Sequence, residues 1–322
     1  VRRVRYHSYG GPEVLRIEEA EVPEPGTGEL RLRTEVIGAN FIDSRFRQGL
    51  GAQYGRPMPA ALTGDVVGTV EAVGPGVDTG LLGQRVAVLS EDAFADHVIA
   101  DAQWAAPVPD GLDDGAASML PLATPVALGT LRAGRFTAGE TVLVHAAAGG
   151  IGHLAVQLAK LLGAGKVIAT AGSPAKLEFA RAHGADVAID YTQGDWADQV
   201  RAAAPDGVDV VLDSIGGDTT TLSVDLLAPY GRLVAYGLAS GTPGEVSARA
   251  LYALRTVTGF SLTAWRAARP EEVTAAVAKA TGYFLDGSLR ATVHTRLNLT
   301  EVAKAHQLFD ERAQLGRVLL TP

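Results

Sequence analysis

The run His145-Ala146-Ala147-Ala148-Gly149-Gly150-Ile151-Gly152 decides the fold of this chain. Before it stands Thr141-Val142-Leu143-Val144, a short apolar strand pattern. After it, Ile151, Leu154, Ala155, Leu158 and Leu162 recur at helical spacing. A strand that breaks into glycines and opens a helix lets backbone approach a pyrophosphate closely. The helix N-terminus then offers N–H groups and partial positive charge. Glycine-rich turns of this kind also occur with no ligand. Here four more strand patterns follow, so a dinucleotide site at Gly149, Gly150, Ile151 and Gly152 is the expectation. The spacing is A-x-x-G-x-x-G and not G-x-G-x-x-G, with Ala146 in the first glycine's place.

Outward from the loop, Lys166–Thr170 reads as a second strand and Pro174–His183 as a helix. Val187–Asp190, Val208–Asp213 and Arg232–Tyr236 continue the alternation, and Thr256–Leu262 is a candidate sixth strand. Strand and helix in this rhythm mean right-handed βαβ units and an α/β domain with a parallel sheet. The preceding residues differ. Leu30, Leu32, Thr34 and Val36 alternate with Arg31, Arg33 and Glu35, a half-buried strand. Val66–Val73 and Arg85–Leu89 are further strands, with turns at Pro23-Glu24-Pro25-Gly26 and Gly74-Pro75-Gly76. After Pro270 comes an amphipathic helix carrying Val273, Ala276, Val277, Ala280 and Phe284, then a last strand at Gly316–Leu320.

Composition bounds the function. A chain of 322 residues with 47% hydrophobic and 20% charged residues is globular and long enough for two domains. Its net charge of -8, with no basic cluster, argues against nucleic-acid binding. No cysteine occurs, which removes disulfides, thiol nucleophiles, thiolate zinc sites and cysteine-held iron–sulfur clusters. Arg2-Arg3-Val4-Arg5 is followed by no apolar run, so no signal peptide is expected. The longest uncharged runs, Ala116–Leu131 and Thr141–Ala159, carry prolines or glycines and read as buried structure, not as membrane spans. A cytoplasmic protein is the expectation.

The second strand pattern runs into Thr170-Ala171-Gly172-Ser173, where an Asp or Glu would bind the ribose 2′-OH of NAD. None is present. Ser173 and Lys176 instead offer a hydroxyl and a cation suited to a 2′-phosphate, which favours NADPH. The plainer reading is that Ser173 caps the next helix ahead of Pro174 and that Lys176 is solvated. Ser173 can fill both roles.

Beyond these local patterns, Tyr9-Gly10-Gly11-Pro12-Glu13-Val14-Leu15, Gly38-Ala39-Asn40-Phe41-Ile42-Asp43, the glycine loop, Gly163-Ala164, Gly184-Ala185-Asp186 and Asp213-Ser214-Ile215-Gly216-Gly217 form a set. With them the whole chain resembles the medium-chain dehydrogenase/reductase superfamily, in its zinc-free quinone oxidoreductase (zeta-crystallin-like) branch. The resemblance implies a GroES-like β-rich catalytic domain from residues 1–120 and 263–322. Between them it implies a Rossmann domain, 121–262, with a doubly wound parallel six-stranded sheet. It implies an active site in the cleft between domains, and a homodimer paired along the Rossmann sheet edge at Thr256–Phe260. Asn40 and Thr124 would lie near the nicotinamide. Ser173, Lys176 and Tyr191 would surround the adenosine phosphate, and Ser214, Gly237 and Phe260 would line the rest of the groove.

The chain also departs from that family. Gly-x-Glu-x-x-Gly reads Thr63-Gly64-Asp65-Val66-Val67-Gly68, a shortened acid, and a commonly found tyrosine is replaced by Arg45 or Phe46. Arg45 reads either as a cleft residue favouring an anionic acceptor or as an inert surface side chain. Thr263-Ala264-Trp265 occupies the stretch where some relatives place an active-site arginine. The seven histidines show no H-E-x-x-H or H-x-x-H pairing. Asn40 stands where the family's first zinc ligand would be, and an asparagine is a poor ligand, so no metal is expected. His145 reads as a packing or hydrogen-bonding residue, and Asp43 as structural, bonding Arg45 or backbone N–H groups. Arg317 reads equally as a reach to cofactor phosphate or as a solvated side chain. The expected reaction is hydride transfer from NADPH to a quinone or conjugated enone. Asn40 and Thr124 would orient nicotinamide or substrate, and water or Tyr54 would supply the proton. An enoyl-thioester reductase and an NADPH-binding protein without turnover are the alternatives.

Overall fold

The computed structural model describes residues 1–50 and 54–322. Strands β1 (Arg2–Tyr6) and β2 (Leu15–Glu19) form an antiparallel ribbon. Next come β3 (Glu29–Ala39), α1 (Phe41–Gln48), β4 (Gly64–Val73), β5 (Arg85–Ser90), β6 (His97–Asp101), β7 (Ala106–Pro107) and α2 (Asp114–Ala117). The alternating half follows: α3 (Ala123–Ala133), β8 (Thr141–Val144), α4 (Gly152–Leu161), β9 (Lys166–Ala171), α5 (Pro174–Ala182) and β10 (Val187–Asp190). It continues with α6 (Trp196–Ala203), β11 (Val208–Asp213), α7 (Gly217–Asp225), β12 (Leu227–Ala235), α8 (Ala248–Leu251), β13 (Thr256–Gly259) and α9 (Leu262–Ala268). Last are α10 (Pro270–Leu285), β14 (Val293–Asn298), α11 (Val302–Asp310) and β15 (Arg317–Thr321).

By compactness these elements form two units, Val1–Leu122 with Val277–Pro322, and Ala123–Ala276. The second unit therefore runs to Ala276, where the sequence reading ended it at 262. In the first unit β14, β15, β3, β4, β5 and β7 make one sheet, with β6 also paired to β3. Its pairs are antiparallel except β14 with β15. Along β3, Leu30, Leu32, Thr34 and Val36 are buried, as the alternation predicts, and Val36 to Ala39 then stay buried in succession. The burial of Gly38 and Ala39 follows from pairing: β15 lies antiparallel on Ile37, Gly38 and Ala39. Leu30, Leu32, Ile37, Leu62, Val66 and Phe94 make the centre of this core. Full burial of one such side chain contributes roughly 1.5–3 kcal/mol.

The second unit is a six-stranded parallel sheet in the order β10-β9-β8-β11-β12-β13. Strands β8 and β11 are neighbours at the point where the order reverses, and ligands in such sheets bind past the strand C-termini there. The glycine loop leaves β8 at that point. The sixth strand is shorter than the sequence suggests and stops at Gly259. Phe260 N–H still bonds Ala235 O at 2.9 Å, and Ser261 then caps α9 by accepting from Ala264 N–H. Helix α1 escaped the sequence reading because it is eight residues long and rich in charge, and Gly49 ends it at φ 64°.

Candidate functional site

In the second unit, Ala146 turns the glycine loop at φ 49°. A non-glycine residue pays about 1–2 kcal/mol there. Alanine thus makes the turn expected of the first glycine. A Cβ on Gly152 would lie 2.2 Å from Ala146 O and 2.8 Å from Ala147 Cα, so only glycine permits this approach. Helix α4 then starts at Gly152 with no side-chain cap. The loop is tied to the next strand by Ala147 N–H donating to Thr170 O at 3.1 Å. His145 is buried, its Nδ1 2.8 Å from Thr170 Oγ1 and its Nε2 2.8 Å from Ser223 Oγ. Burial holds its pKa below the usual imidazole range. It is a hydrogen-bonded core residue.

Past β9, Ser173 accepts from Lys176 N–H at 3.4 Å and caps α5, with Pro174 in the first turn. The Tyr191 hydroxyl lies over Gly172, where a Cβ would be 2.7 Å from it. Ser173, Lys176 and Tyr191 are each half-buried, and Ser173 and Tyr191 flank Gly172. Past β11, buried Asp213 shapes the loop by accepting from Ile215 N–H, Gly216 N–H and Thr220 Oγ1. Gly237 packs on Ser214, whose carbonyl oxygen would be 2.7 Å from a Cβ there. Tyr236 also bonds Ser214, and burial pushes its phenol up to about 12. Phe260 rests over Gly129, where a Cβ would meet its ring at 2.3 Å, and meets the Trp265 ring edge at 5.7 Å. Thr124 of α3 is fully buried, and its Oγ1 has no partner among the described residues.

In the first unit, Asn40 follows β3 and precedes α1 without capping it. Its side chain is engaged elsewhere. Nδ2 donates to Asp65 Oδ2 at 3.1 Å, and Oδ1 accepts from Arg317 Nη1 at 2.8 Å. Arg317 is 2% exposed, which excludes the solvated reading. Its guanidinium also donates to Asp65 Oδ2, to Ser118 Oγ at 3.2 Å, to Ser118 O at 2.9 Å and to Ala39 O at 3.3 Å. A Cβ on Gly38 would lie 1.7 Å from Arg317 Nη2, so the glycine makes room for the ion pair. The sequence reading missed this arrangement. Gly38, in the run Gly38-Ala39-Asn40, was the available signal, but it does not say which cation fills the space.

Asp43 is fully buried and bonds a backbone N–H, one of the two partners expected of it: Oδ1 accepts from Thr63 N–H at 2.7 Å and from Thr63 Oγ1 at 2.9 Å, and no bond to Arg45 forms. Burial raises its pKa to about 7. Arg45 is half-buried on α1, 4.6 Å above the Phe41 ring and bonded to Gln48, and is not a solvated loop residue. Tyr54 is buried with its ring edge on Phe46, and the opposite demand on Phe46 comes from Arg56, 4.0 Å from the ring centre.

Two family models match the chain: an alcohol dehydrogenase GroES-like domain over residues 26–110 and a zinc-binding dehydrogenase over residues 150–281. A quinone oxidoreductase of Pseudomonas aeruginosa is 38% identical, covering 100% of this chain and 99% of that protein. The chain belongs to the quinone oxidoreductase family. A 2-haloacrylate reductase of a Burkholderia species is 34% identical over 98% of this chain and 97% of its own. The crystal structure of the Escherichia coli quinone oxidoreductase complexed with NADPH superposes with a TM-score of 0.91, at 32% identity and full coverage of both chains. Although one matching model is named for zinc, this quinone oxidoreductase relative has no cysteine. Among its described residues, no three His, Asp or Glu side chains gather to hold a metal ion. No helix among them is long and apolar enough to cross a membrane.

Proposed function

We propose that this chain is an NADPH-dependent, metal-independent reductase of quinones or conjugated enones. The observation that carries the reading is the nucleotide cradle. An uncapped helix start at Gly152, where no Cβ fits, follows the glycine loop, and a neighbouring strand end bears Ser173, Lys176 and Tyr191 without an acid. Residues present fit the cofactor. Gly149, Gly150, Ile151 and Gly152 would receive the pyrophosphate at the α4 N-terminus. Lys176, Ser173 and Tyr191 would hold the 2′-phosphate, where a carboxylate would repel it. Ser214, Gly237 and Phe260 would border the groove, and the Thr124 hydroxyl, without a partner among the described residues, would meet the nicotinamide amide.

Bound NADPH supplies the hydride. On the protein side, Asn40 would donate its remaining Nδ2–H to the oxygen on which charge develops. A quinone gains hydride and a proton and becomes a hydroquinone. An enone gains hydride at the β-carbon and a proton at the α-carbon. Tyr54 or water would supply that proton. No metal is needed, because the conjugated acceptor already carries the electron sink. The relatives named for quinone and 2-haloacrylate reduction support this acceptor class.

The enzyme would act in the cytoplasm as a homodimer joined along β13. Support for that edge comes from Tyr252, Leu254 and Tyr230, which are 81%, 54% and 71% exposed beside it. The test follows NADPH oxidation over a panel of simple quinones, enones, enoyl thioesters and primary alcohols. Turnover of quinones or enones is expected. Preference for enoyl thioesters would move the chain to that reductase class. NADPH binding with no turnover of any acceptor, or alcohol oxidation alone, would overturn the reading.

A further inference from the structure

We infer that Arg317 and Asp65 are positioning residues that set which way the Asn40 side-chain amide faces. The inference rests on the proposed role of Asn40 and goes beyond it. An asparagine amide ordinarily turns over between two orientations of similar energy, because its oxygen and nitrogen have the same size. Here the two ends meet opposite charges. Oδ1 faces the Arg317 guanidinium at 2.8 Å and Nδ2 faces the Asp65 carboxylate at 3.1 Å. Turning the amide over would set N–H against a cation and a carbonyl oxygen against an anion. Both charge-assisted bonds would be lost together. The ion pair therefore reads the polarity of the amide.

The pair itself cannot adjust. The side chains of Arg317 and Asp65 are 2% and 0% exposed. The guanidinium places its five N–H groups on five acceptor contacts drawn from Ala39, Asn40, Asp65 and Ser118. Ser118 is fixed in turn, its Oγ donating to Gly115 O at 2.8 Å. With one Nδ2–H on Asp65 and Oδ1 on Arg317, the second Nδ2–H of Asn40 has no partner among the described residues. Its direction follows from the other two contacts. A donor held this way costs no reorganisation when charge develops on an acceptor oxygen. The shortened acid at position 65 belongs to this device, since Asp65 Oδ2 serves Asn40 and Arg317 at once.

The test measures single-turnover hydride transfer to a quinone at saturating NADPH in Arg317→Lys, Asn40→Ala and the double variant. NADPH affinity is measured alongside. Lysine keeps the charge and loses the planar fork. Arg317→Lys should slow transfer by about tenfold or more and leave the NADPH Kd within about twofold. In the Asn40→Ala background the same change should cost nothing further. Ser118→Ala, which removes one of the five contacts, is the milder variant should Arg317→Lys fail to fold. It should slow transfer by about threefold, again only when Asn40 is present. Nitrogen-15 spectra give a second readout. The Asn40 side-chain amide, identified by its loss in Asn40→Ala, should show one slowly exchanging proton, the one donated to Asp65, that loses protection in either variant.

Rate losses that multiply in the double variant would overturn the inference. So would an Arg317→Lys protein with tenfold weaker NADPH binding and an unchanged rate, since Arg317 would then be a cofactor ligand. An Asn40→Ala enzyme with a normal rate would overturn the reading of Asn40 together with this one. A slow Asn40→Ala enzyme beside an Arg317→Lys amide that keeps its protection would overturn this inference alone.

Discussion

Asp43 is fully buried at the start of α1 and satisfied on one oxygen by Thr63, while Oδ2 has no partner among the described residues. Loss of solvent around the carboxylate raises its pKa to about 7 from an ordinary 3.8. The folded protein therefore holds this proton more tightly than the unfolded chain. The stability it contributes is fully present below about pH 4 and is lost as pH rises through about 7. The change is on the order of a few kcal/mol across that window. Asp43→Asn should flatten it, and urea unfolding at pH 5 and pH 8 measures the difference between the two proteins. A wild-type slope unchanged by the substitution would show that Asp43 is ionised throughout. His306 behaves in the opposite sense. Burial beside Arg47 lowers it to about 3, so its contribution is present above about pH 6.5 and is lost as pH falls toward 3. Neither environment could be read from the sequence, because burial comes from segments far apart in the chain.

Among the elements, the first turn of α5 would govern cofactor preference in the proposed function. Ser173 caps it, and the cap leaves the hydroxyl beside the helix N-terminus that favours anions. Removing the Lys176 cation should cost roughly 1.5–3 kcal/mol toward NADPH and little toward NADH, so Lys176→Ala should narrow the preference by about tenfold or more. Titration of both cofactors by fluorescence checks this, and equal affinities in the wild type would remove its basis. At the other edge of the sheet, β13 pairs, among the described residues, only with β12, and exposed Tyr252 and Leu254 stand just before it. If the proposed homodimer buries them, Tyr252→Glu with Leu254→Glu should weaken its association by about a hundredfold, since burying one apolar side chain contributes roughly 1.5–3 kcal/mol. Sedimentation analysis reads the shift to monomer. The strand patterns behind these elements were legible in the sequence, because β8, β9 and β11 are short apolar runs between glycine or proline turns. Helix α1 was not legible, since its eight residues are too few for a period to show.

At the scale of the whole molecule, metal removal and cofactor addition should act differently. With no thiolate in the chain, prolonged chelator treatment should leave the turnover rate unchanged. NADPH at a hundred times its Kd should stabilise the protein by about 2.7 kcal/mol, visible as a raised Tm. Stoichiometric zinc by elemental analysis, with activity lost on its removal, would contradict the first expectation. The sequence by itself determined the α/β class, the parallel sheet, the glycine loop and the absence of thiol chemistry. Each rests on residues close together in the chain, where hydrophobic period, glycine spacing and composition act locally. The surroundings of Asn40 were decided only by the tertiary structure. Gly38, Asp65, Ser118 and Arg317 come from four separate segments, and sheet pairing of β3 with β4 and β15 brings three of them together. A buried charge needs an opposite charge and hydrogen-bond partners, and those of Arg317 exist only once strands distant in sequence have paired.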